Sequence, residues 1–319
     1  MCVTVACTQQ ETIATFLELR RRAQELGPMR VAVVVADDDV ALMAAADALQ
    51  LGIARPILIG DGQKIWAKAE ALGLIDLMDA AELVAASDAA PIAVQMARAG
   101  NVDIILKGHL RTDELLRAVL DKTAGLRTGR LLSDVMLYED VLSGERRLVG
   151  LSDGGLNVAP TLEQKKQIVQ NAIEVMHSLG LARPRIAIMS ASEVVTESMP
   201  STLDAQALSN MGAAGEFGEA EVYGPLALDN ALVEAAAKAK GIDSPVAGHA
   251  DCMLMPNIEA GNLLGKAIKY LGGSQCAHVV VGAKVPILIP SRVESSDDKV
   301  NAIALGVIFA AWSTQSAGH

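Results

Sequence analysis

The chain has 319 residues, 51% of them apolar and 3% aromatic, with a formal net charge of −11. The length suits two domains, and a core so poor in rings falls to alanine, valine, leucine and isoleucine, as in α/β proteins with buried parallel strands. The charge excludes a general nucleic-acid or acidic-membrane binder, so an anionic ligand needs local arginines and lysines set against the global field.

Cys2, Cys7, Cys252 and Cys276 are scattered without a CxxC pair, which predicts reduced thiols in a cytoplasmic protein rather than a zinc site or a disulfide framework. No basic region followed by an apolar run opens the chain, and the apolar runs are of strand length, so neither a signal peptide nor a membrane span is expected.

In chain order, residues 10–27 read as a helix ended by Gly27 and Pro28. Arg30 to Ala36 reads as a strand buried on both faces, and Asp37 to Asp39 open a helix through Leu51. Nothing here follows GxGxxG, so a nicotinamide fingerprint is absent. Pro56 to Gly60 is the next strand, followed by a helix to about Gly73. Strands alternating with helices predict a parallel sheet with right-handed crossovers.

Val102 to Leu106 runs into Lys107, Gly108, His109, Leu110, Arg111 and Thr112, ahead of a helix bearing Arg117. Gly108 allows close approach of the backbone to a ligand, and Thr112 is an N-cap candidate at a helix start suited to anions. Lys107, His109, Arg111 and Thr112 read either as a phosphate cradle or as a capped helix with solvated bases. Arg127 to Tyr138 and Arg147 to Leu151 read as strands, paired through a turn at Ser143–Gly144. A polar loop, SDGGLNVAP, follows at 152–160, with Asp153 and Asn157.

Thr161 with Gln164 forms a capping-box pattern ahead of a helix to Leu179. Arg185 to Ser190, Glu221 to Tyr223 and Ala250 to Met255 read as strands, and Asp204 to Gly212 as a helix. Asp229 reads as an N-cap or first-turn acid. Asn257, Glu259 and Asn262 follow a strand stopped by Pro256. His249 and His278 have no second histidine at i+4 and read as core or loop residues. Finally Pro286 to Ile289 is a short strand stopped by Pro290. Ser291 and Arg292 lie just past its carboxyl end, where open α/β sheets bind ligands. Glu294, Asp297 and Asp298 open the last helix, where acids also suit the macrodipole and Ser295 or Ser296 caps.

This last stretch, PILIPSRVESSDDKVNAIALG, resembles the C-terminal signature of the phosphate acetyltransferase/phosphate butyryltransferase family: a Ser-Arg pair, an acidic cluster and a helix. Further phrases occur in the same order: the turn and helix with Thr112 and Arg117, the Asp153…Asn157…Pro160 loop, Ala191 to Glu193, and GPLALDNA at 224–231. The likeness runs from about Arg30 to Gly306. One position departs from a simple match, because Glu294, Asp297 and Asp298 are all present where the acetyl branch has an aspartate seven positions after the serine, here Asp298.

The resemblance implies an acyltransferase that moves a short acyl group, acetyl to butyryl, reversibly between coenzyme A and inorganic phosphate. It implies Asp298 as general base to the thiol, with Asp297 in reserve, Ser291 as donor to the transition-state oxygen, and Arg292 on the phosphoryl oxygens. By the same resemblance Thr112 and Arg117 would hold phosphate and coenzyme A and the Asn157 loop would face the cleft; Lys107, His109, Asn257 and Asn262, read from their own positions, are further candidates to line it. No metal and no tightly bound cofactor is expected. The implied fold is two α/β domains with mostly parallel sheets and an interdomain cleft, an isocitrate/isopropylmalate dehydrogenase-like architecture. The first domain is residues 1–136 plus 286–319 and the second 137–285, in a homodimer or larger assembly. Two alternatives stand beside it: a metal- and NAD-dependent dehydrogenase of the isocitrate/isopropylmalate or pyridoxal-precursor type, and a non-catalytic coenzyme A-binding protein.

Overall fold

A computed structural model describes residues 11–142, 146–291 and 294–316. The expected turn at Ser143–Gly144 and the expected phosphate ligand Arg292 lie outside them.

The strands are β1 (Met29–Val34), β2 (Ala54–Gly60), β3 (Glu82–Ala85), β4 (Ile104–Lys107), β5 (Ser133–Asp140), β6 (Arg147–Ser152), β7 (Arg185–Met189), β8 (Glu221–Leu226), β9 (Cys252–Leu254), β10 (Cys276–Val281) and β11 (Ile287–Leu288). The helices are α1 (Phe16–Leu26), α2 (Asp39–Gln50), α3 (Gly62–Ala71), α4 (Ile75–Ala80), α5 (Ala89–Arg98), α6 (Thr112–Val119), α7 (Leu162–Ser178), α8 (Pro200–Ala213), α9 (Leu228–Leu232), α10 (Glu234–Ala239), α11 (Ile258–Lys266) and α12 (Ser296–Ser316).

All the strands join one sheet in the order β3-β2-β1-β4-β11-β10-β5-β6-β9-β7-β8. The flanks are parallel, as the strand–helix alternation predicts. The middle is not: β11–β10, β10–β5 and β5–β6 are antiparallel. The expected pair of sheets, one per domain of an isocitrate/isopropylmalate dehydrogenase-like architecture, is corrected on this point. β10 and β5 share a six-residue ladder, Cys276–Tyr138 through Val281–Ser133, that continues the sheet across the middle. β5 itself spans the expected boundary at residues 136–137.

Helices form where their starts are chemically marked. Asp38 accepts the Ala41 N–H at 2.7 Å ahead of α2, and Thr161 and Gln164 complete the reciprocal capping box of α7. Small residues set the packing: Ala41, Ala44, Ala45 and Ala48 form the buried face of α2. α12 is buried all round from Asp298 to Ala310, and it packs against α1, α2, β10, β4 and β11. The chain's last helix thereby completes the core of its first hundred residues, and it carries the start of the acidic cluster back to the end of β4.

Candidate active site

A cavity of about 520 Å³ opens where β4 and β11 end and over the face of β5, β6 and β10. Lys107, Arg111 and Thr112 enter it from the β4–α6 turn, and Ser291 and Glu294 from the segment after β11. The strand face contributes Asp134, Met136, Leu151, Cys276 and His278, and the α11 side contributes Asn262, Lys266 and Lys269. The chain thus brings together, in one concave site, segments some 180 residues apart in sequence.

The turn after β4 is built by a close backbone approach. The Gly108 N–H bonds the Val34 carbonyl at 2.9 Å, and a Cβ at Gly108 would stand 2.3 Å from the Val35 oxygen. The glycine is therefore needed for packing against β1, not for approach to a ligand. Lys107 is buried, and its ammonium donates to the carbonyls of Gly108 and Leu110 at 3.4 and 3.3 Å. Arg111, not Thr112, occupies the N-cap position of α6. Thr112 is the first helical residue and makes no capping bond, so the N-cap expectation is corrected. The Arg111 guanidinium, largely exposed, bonds Asp113 at 2.8 Å.

Ser291 and Glu294 bond each other in both directions. The Ser291 N–H donates to Glu294 Oε1 at 3.0 Å, and the Glu294 N–H returns to the Ser291 carbonyl at 3.2 Å. Burial pushes the Glu294 carboxyl above its ordinary pKa, against the opposing pull of His278. His278 Nδ1 lies 3.0 Å from Asp134 Oδ2, and His278 Nε2 lies 3.8 Å from Glu294 Oε1. Burial alone would lower the imidazole pKa. Asp134 and Glu294 on either side outweigh it and hold the imidazolium well above the ordinary range. The expectation of His278 as an uninvolved core or loop histidine is corrected: it is a cavity residue between two carboxylates. His249 is partly exposed, 3.8 Å from Glu234.

Asp298 has a different setting from a free base. Its side chain is fully buried and is not among the residues lining the cavity. Ser295 donates to it through both hydroxyl (2.6 Å) and N–H (3.1 Å), the Cys276 N–H at 3.0 Å, and the Lys269 ammonium as well. Burial pushes this carboxyl up, but the bonds from Lys269, Ser295 and Cys276 hold it below the usual range. Asp297 is exposed and pairs with Arg20 at 2.8 Å.

The remaining expected residues divide. Asn262 lines the cavity and donates to the Gly154 carbonyl at 3.1 Å. Asn157 instead ties its own loop, donating to Leu132 and Asp153, and Asn257 caps α11 through the Ala260 N–H. His109 is exposed, 3.6 Å from Asp37. Arg117 lines a second cavity, of about 1100 Å³, between α5 and α6; Ser291 does not reach it, while Arg111 and Asp113 line both. The sequence reading missed Asp134, His278, Cys276, Lys266 and Lys269. The readable signal for two of them is an ionisable residue inside an otherwise apolar strand, in SDVMLY and in CAHVVV.

Among the described residues no group of three or more His, Cys, Asp or Glu is arranged to hold a metal ion. No helix among them is long and apolar enough to cross a membrane.

Such a cavity, with lysines and an arginine facing Ser291 at the carboxyl ends of parallel strands, is that of an α/β enzyme for an anionic substrate. The family model described as "Phosphate acetyl/butaryl transferase" matches residues 74–307. The chain is 43% identical over 293 residues to the phosphate acetyltransferase of Rickettsia typhi, covering 91% of this chain and 83% of that one. It is 39% identical over 299 residues to the phosphate butyryltransferase of Clostridium acetobutylicum, covering 93% and 99%. Among solved structures, a branched-chain phosphotransacylase from Enterococcus faecalis superposes with a TM-score of 0.77 at 29% identity, over 88% of this chain and 99% of that one. A phosphotransacetylase from Streptococcus pyogenes shares the fold with a TM-score of 0.79 at 21% identity, over 93% and 99%.

The chain belongs to the phosphate acetyl/butyryltransferase family and is an enzyme of that acyltransferase class. Its fold is that of the phosphotransacylases, which overturns the isocitrate/isopropylmalate dehydrogenase-like label. The dehydrogenase alternative gains no support from the family model or from these relatives.

Proposed function

We propose that the 520 Å³ cavity transfers a short acyl group between coenzyme A and inorganic phosphate, and that its two walls divide the work. The observation that carries this reading is the meeting of Ser291 with Lys107, Arg111 and Thr112 in one cavity of a chain of this family. In one direction a phosphate oxygen attacks the thioester carbonyl, the C–S bond breaks, and the thiolate takes a proton as acyl phosphate leaves. In the other the thiolate attacks the acyl phosphate and inorganic phosphate departs.

Lys107, Arg111 and the start of α6 meet the phosphate. An arginine fork suits phosphate oxygens, and the first N–H groups of an eight-residue helix are unsatisfied donors. Ser291 donates to the carbonyl oxygen as it becomes an oxyanion, an effect worth about 3 kcal/mol where one such donor is removed. Arg292 keeps its proposed place on the phosphoryl oxygens by sequence alone. Of Glu294, Asp297 and Asp298, Glu294 is the acid that lines the cavity, and its raised pKa suits proton exchange with a thiol. Asp298 acts behind it, holding Lys269 at the cavity edge. Arg117 serves the coenzyme A arm from the second cavity, which Arg111 joins to the first.

The proposal keeps the discontinuous division into 1–136 plus 286–319 and 137–285; the packing of α12 on α1 and α2 supports its first part. It keeps a homodimer or larger assembly. It also keeps a cytoplasmic setting, for which the two buried free thiols, Cys252 and Cys276, are a modest argument.

The test supplies acetyl-, propionyl- and butyryl-coenzyme A with and without phosphate and follows free thiol. Thiol release that requires phosphate, and that falls in Ser291→Ala, is expected. Release independent of phosphate would make the protein a thioesterase instead.

A further inference from the structure

Asp134 and His278 sit on the floor of the cavity for a reason of register. Asp134 pairs with Val280 and Met136 with His278, so Asp134 and His278 are diagonal neighbours on one face of the β5–β10 ladder. Met136 and Leu151 continue that face as an apolar strip. The face is kept open above Asp134 by Gly155, where a Cβ would stand 3.0 Å from Asp134 Oδ2.

Asp134 is 3% exposed and only half satisfied. Its Oδ2 takes the His278 Nδ1 contact, and its own N–H donates to Asp153 Oδ2 at 3.3 Å. Its Oδ1 is buried and finds no donor among the described residues. A buried charged oxygen left without a donor costs more than the roughly 1–3 kcal/mol of a neutral group. His278 is in the complementary position. Its Nε2 is 3.8 Å from Glu294 Oε1, beyond hydrogen-bond distance, and beyond Asp134 the ring meets, among the described residues, only the Cys276 thiol, a weak partner that a substrate hydroxyl can replace. One wall of the cavity thus holds an unmatched acceptor, Asp134 Oδ1, beside a donor matched only weakly.

An alkyl chain lying on Met136 and Leu151 satisfies neither group and desolvates both. A hydroxyl satisfies both, since it donates one hydrogen bond and accepts another. We propose, on the acyltransfer reading above, that Asp134 and His278 are specificity-determining residues. They select a short acyl group that carries a hydroxyl a few bonds from the thioester, with O–H donating to Asp134 Oδ1 and His278 Nε2–H donating to the hydroxyl oxygen. Sites built to bond a substrate hydroxyl reject the analogue that lacks it by up to about 10⁴–10⁵-fold, far beyond what one methylene supplies.

The experiment compares kcat/KM for 3-hydroxybutyryl-coenzyme A, both enantiomers, with that for butyryl-coenzyme A, in the wild type, Asp134→Leu and His278→Phe. The expected result is a preference of at least about tenfold for one hydroxylated enantiomer, lost or inverted in both variants. Because each ratio comes from one preparation, partial unfolding of a variant cancels. A wild type that prefers butyryl, or shows a ratio near one, overturns the proposal while leaving phosphate-dependent transfer intact. Equal losses on both substrates in the variants, with the ratio unchanged, also overturn it, since the donor would then belong to the coenzyme A arm common to both. Calorimetric titration of the same acyl-coenzyme A pairs reads the preference without turnover. It therefore separates failure of this inference from failure of the acyltransfer reading.

Discussion

Ser295 and Asp298 cap one another: the Asp298 N–H bonds the Ser295 hydroxyl at 3.2 Å, while the Asp298 carboxylate accepts the Ser295 N–H at 3.1 Å. This is a capping box with aspartate in the acid position, at the start of the most buried helix in the molecule. The same carboxylate also holds Lys269 and the Cys276 N–H, so three segments meet on one side chain.

Asp298→Ala should therefore act first on stability. It leaves the Lys269 ammonium without its buried counter-charge and costs about 3 kcal/mol. A lowered melting temperature, with residual activity in the folded fraction, is expected. Full loss of kcat at an unchanged melting temperature would return the proton-transfer role to Asp298.

Glu294→Gln should lower kcat by about 10²–10⁴-fold, the usual worth of a positioned acid–base group. Because burial raises the Glu294 pKa, its carboxylate form is lost as pH falls through a value above the ordinary carboxylate range. The wild-type rate of thiol attack on acyl phosphate should show that acidic limb, and the glutamine variant should not. An identical limb in both would remove Glu294 from the chemistry.

His278 should stabilise the fold in a defined pH window. Its folded-state pKa lies well above the unfolded value, near 6.5, so its contribution is fully present below that value and is lost as pH rises through the folded one. The melting-temperature gap between wild type and His278→Gln should be wide near neutrality and close on going alkaline. A gap that widens with pH would mean that the imidazole is neutral when folded.

Arg111→Ala and Arg117→Ala should separate the two cavities. Arg111 lines both, so its loss should raise KM for phosphate and for acyl-coenzyme A together. Arg117 lines only the second, so its loss should raise KM for acyl-coenzyme A alone. A phosphate effect from Arg117 would mean that it acts across the two cavities, through the Arg111 and Asp113 that they share.

Gly108→Ala tests the turn itself. The added methyl would meet the carbonyls of Val35 and Val34, where β1 ends, at 2.3 and 2.8 Å, and backbone cannot yield as a side-chain tip does. A loss of about 1–3 kcal/mol is expected on denaturant titration, accompanied by weaker phosphate use as Lys107 and Arg111 shift.

Much of the fold was legible because it rests on short-range chemistry. In β1, β2 and β7 an unbroken apolar run follows a single arginine, the Thr161–Gln164 box marks α7, and Pro290 stops the chain after β11 where a loop must begin. The site was legible mainly where its residues sit at element ends: Lys107 closes β4, Arg111 and Thr112 start α6, Ser291 follows β11, and Asn262, within α11, reaches the same cavity. Asp134 and His278 were not, since their pairing depends on an antiparallel register between strands 144 residues apart, which periodicity does not report. The setting of Asp298 was not legible either: its spacing from Ser291 fits the family, but spacing carries no information on burial, and donors from Lys269, Cys276 and Ser295 enclose it.

The seating of β11 between β4 and β10, with α12 laid over α1 and α2, has a consequence for biosynthesis. On the ribosome the edge of β4 stays bare until Ile287 and Leu288 emerge, some 180 residues later, while the apolar faces of α1 and α2 wait for the last twenty. An exposed parallel edge and an uncovered greasy surface are what holdase chaperones bind and what self-associates in their absence. A nascent chain stalled before residue 286 should remain chaperone-bound, and release of the full length should be the event that lets it go.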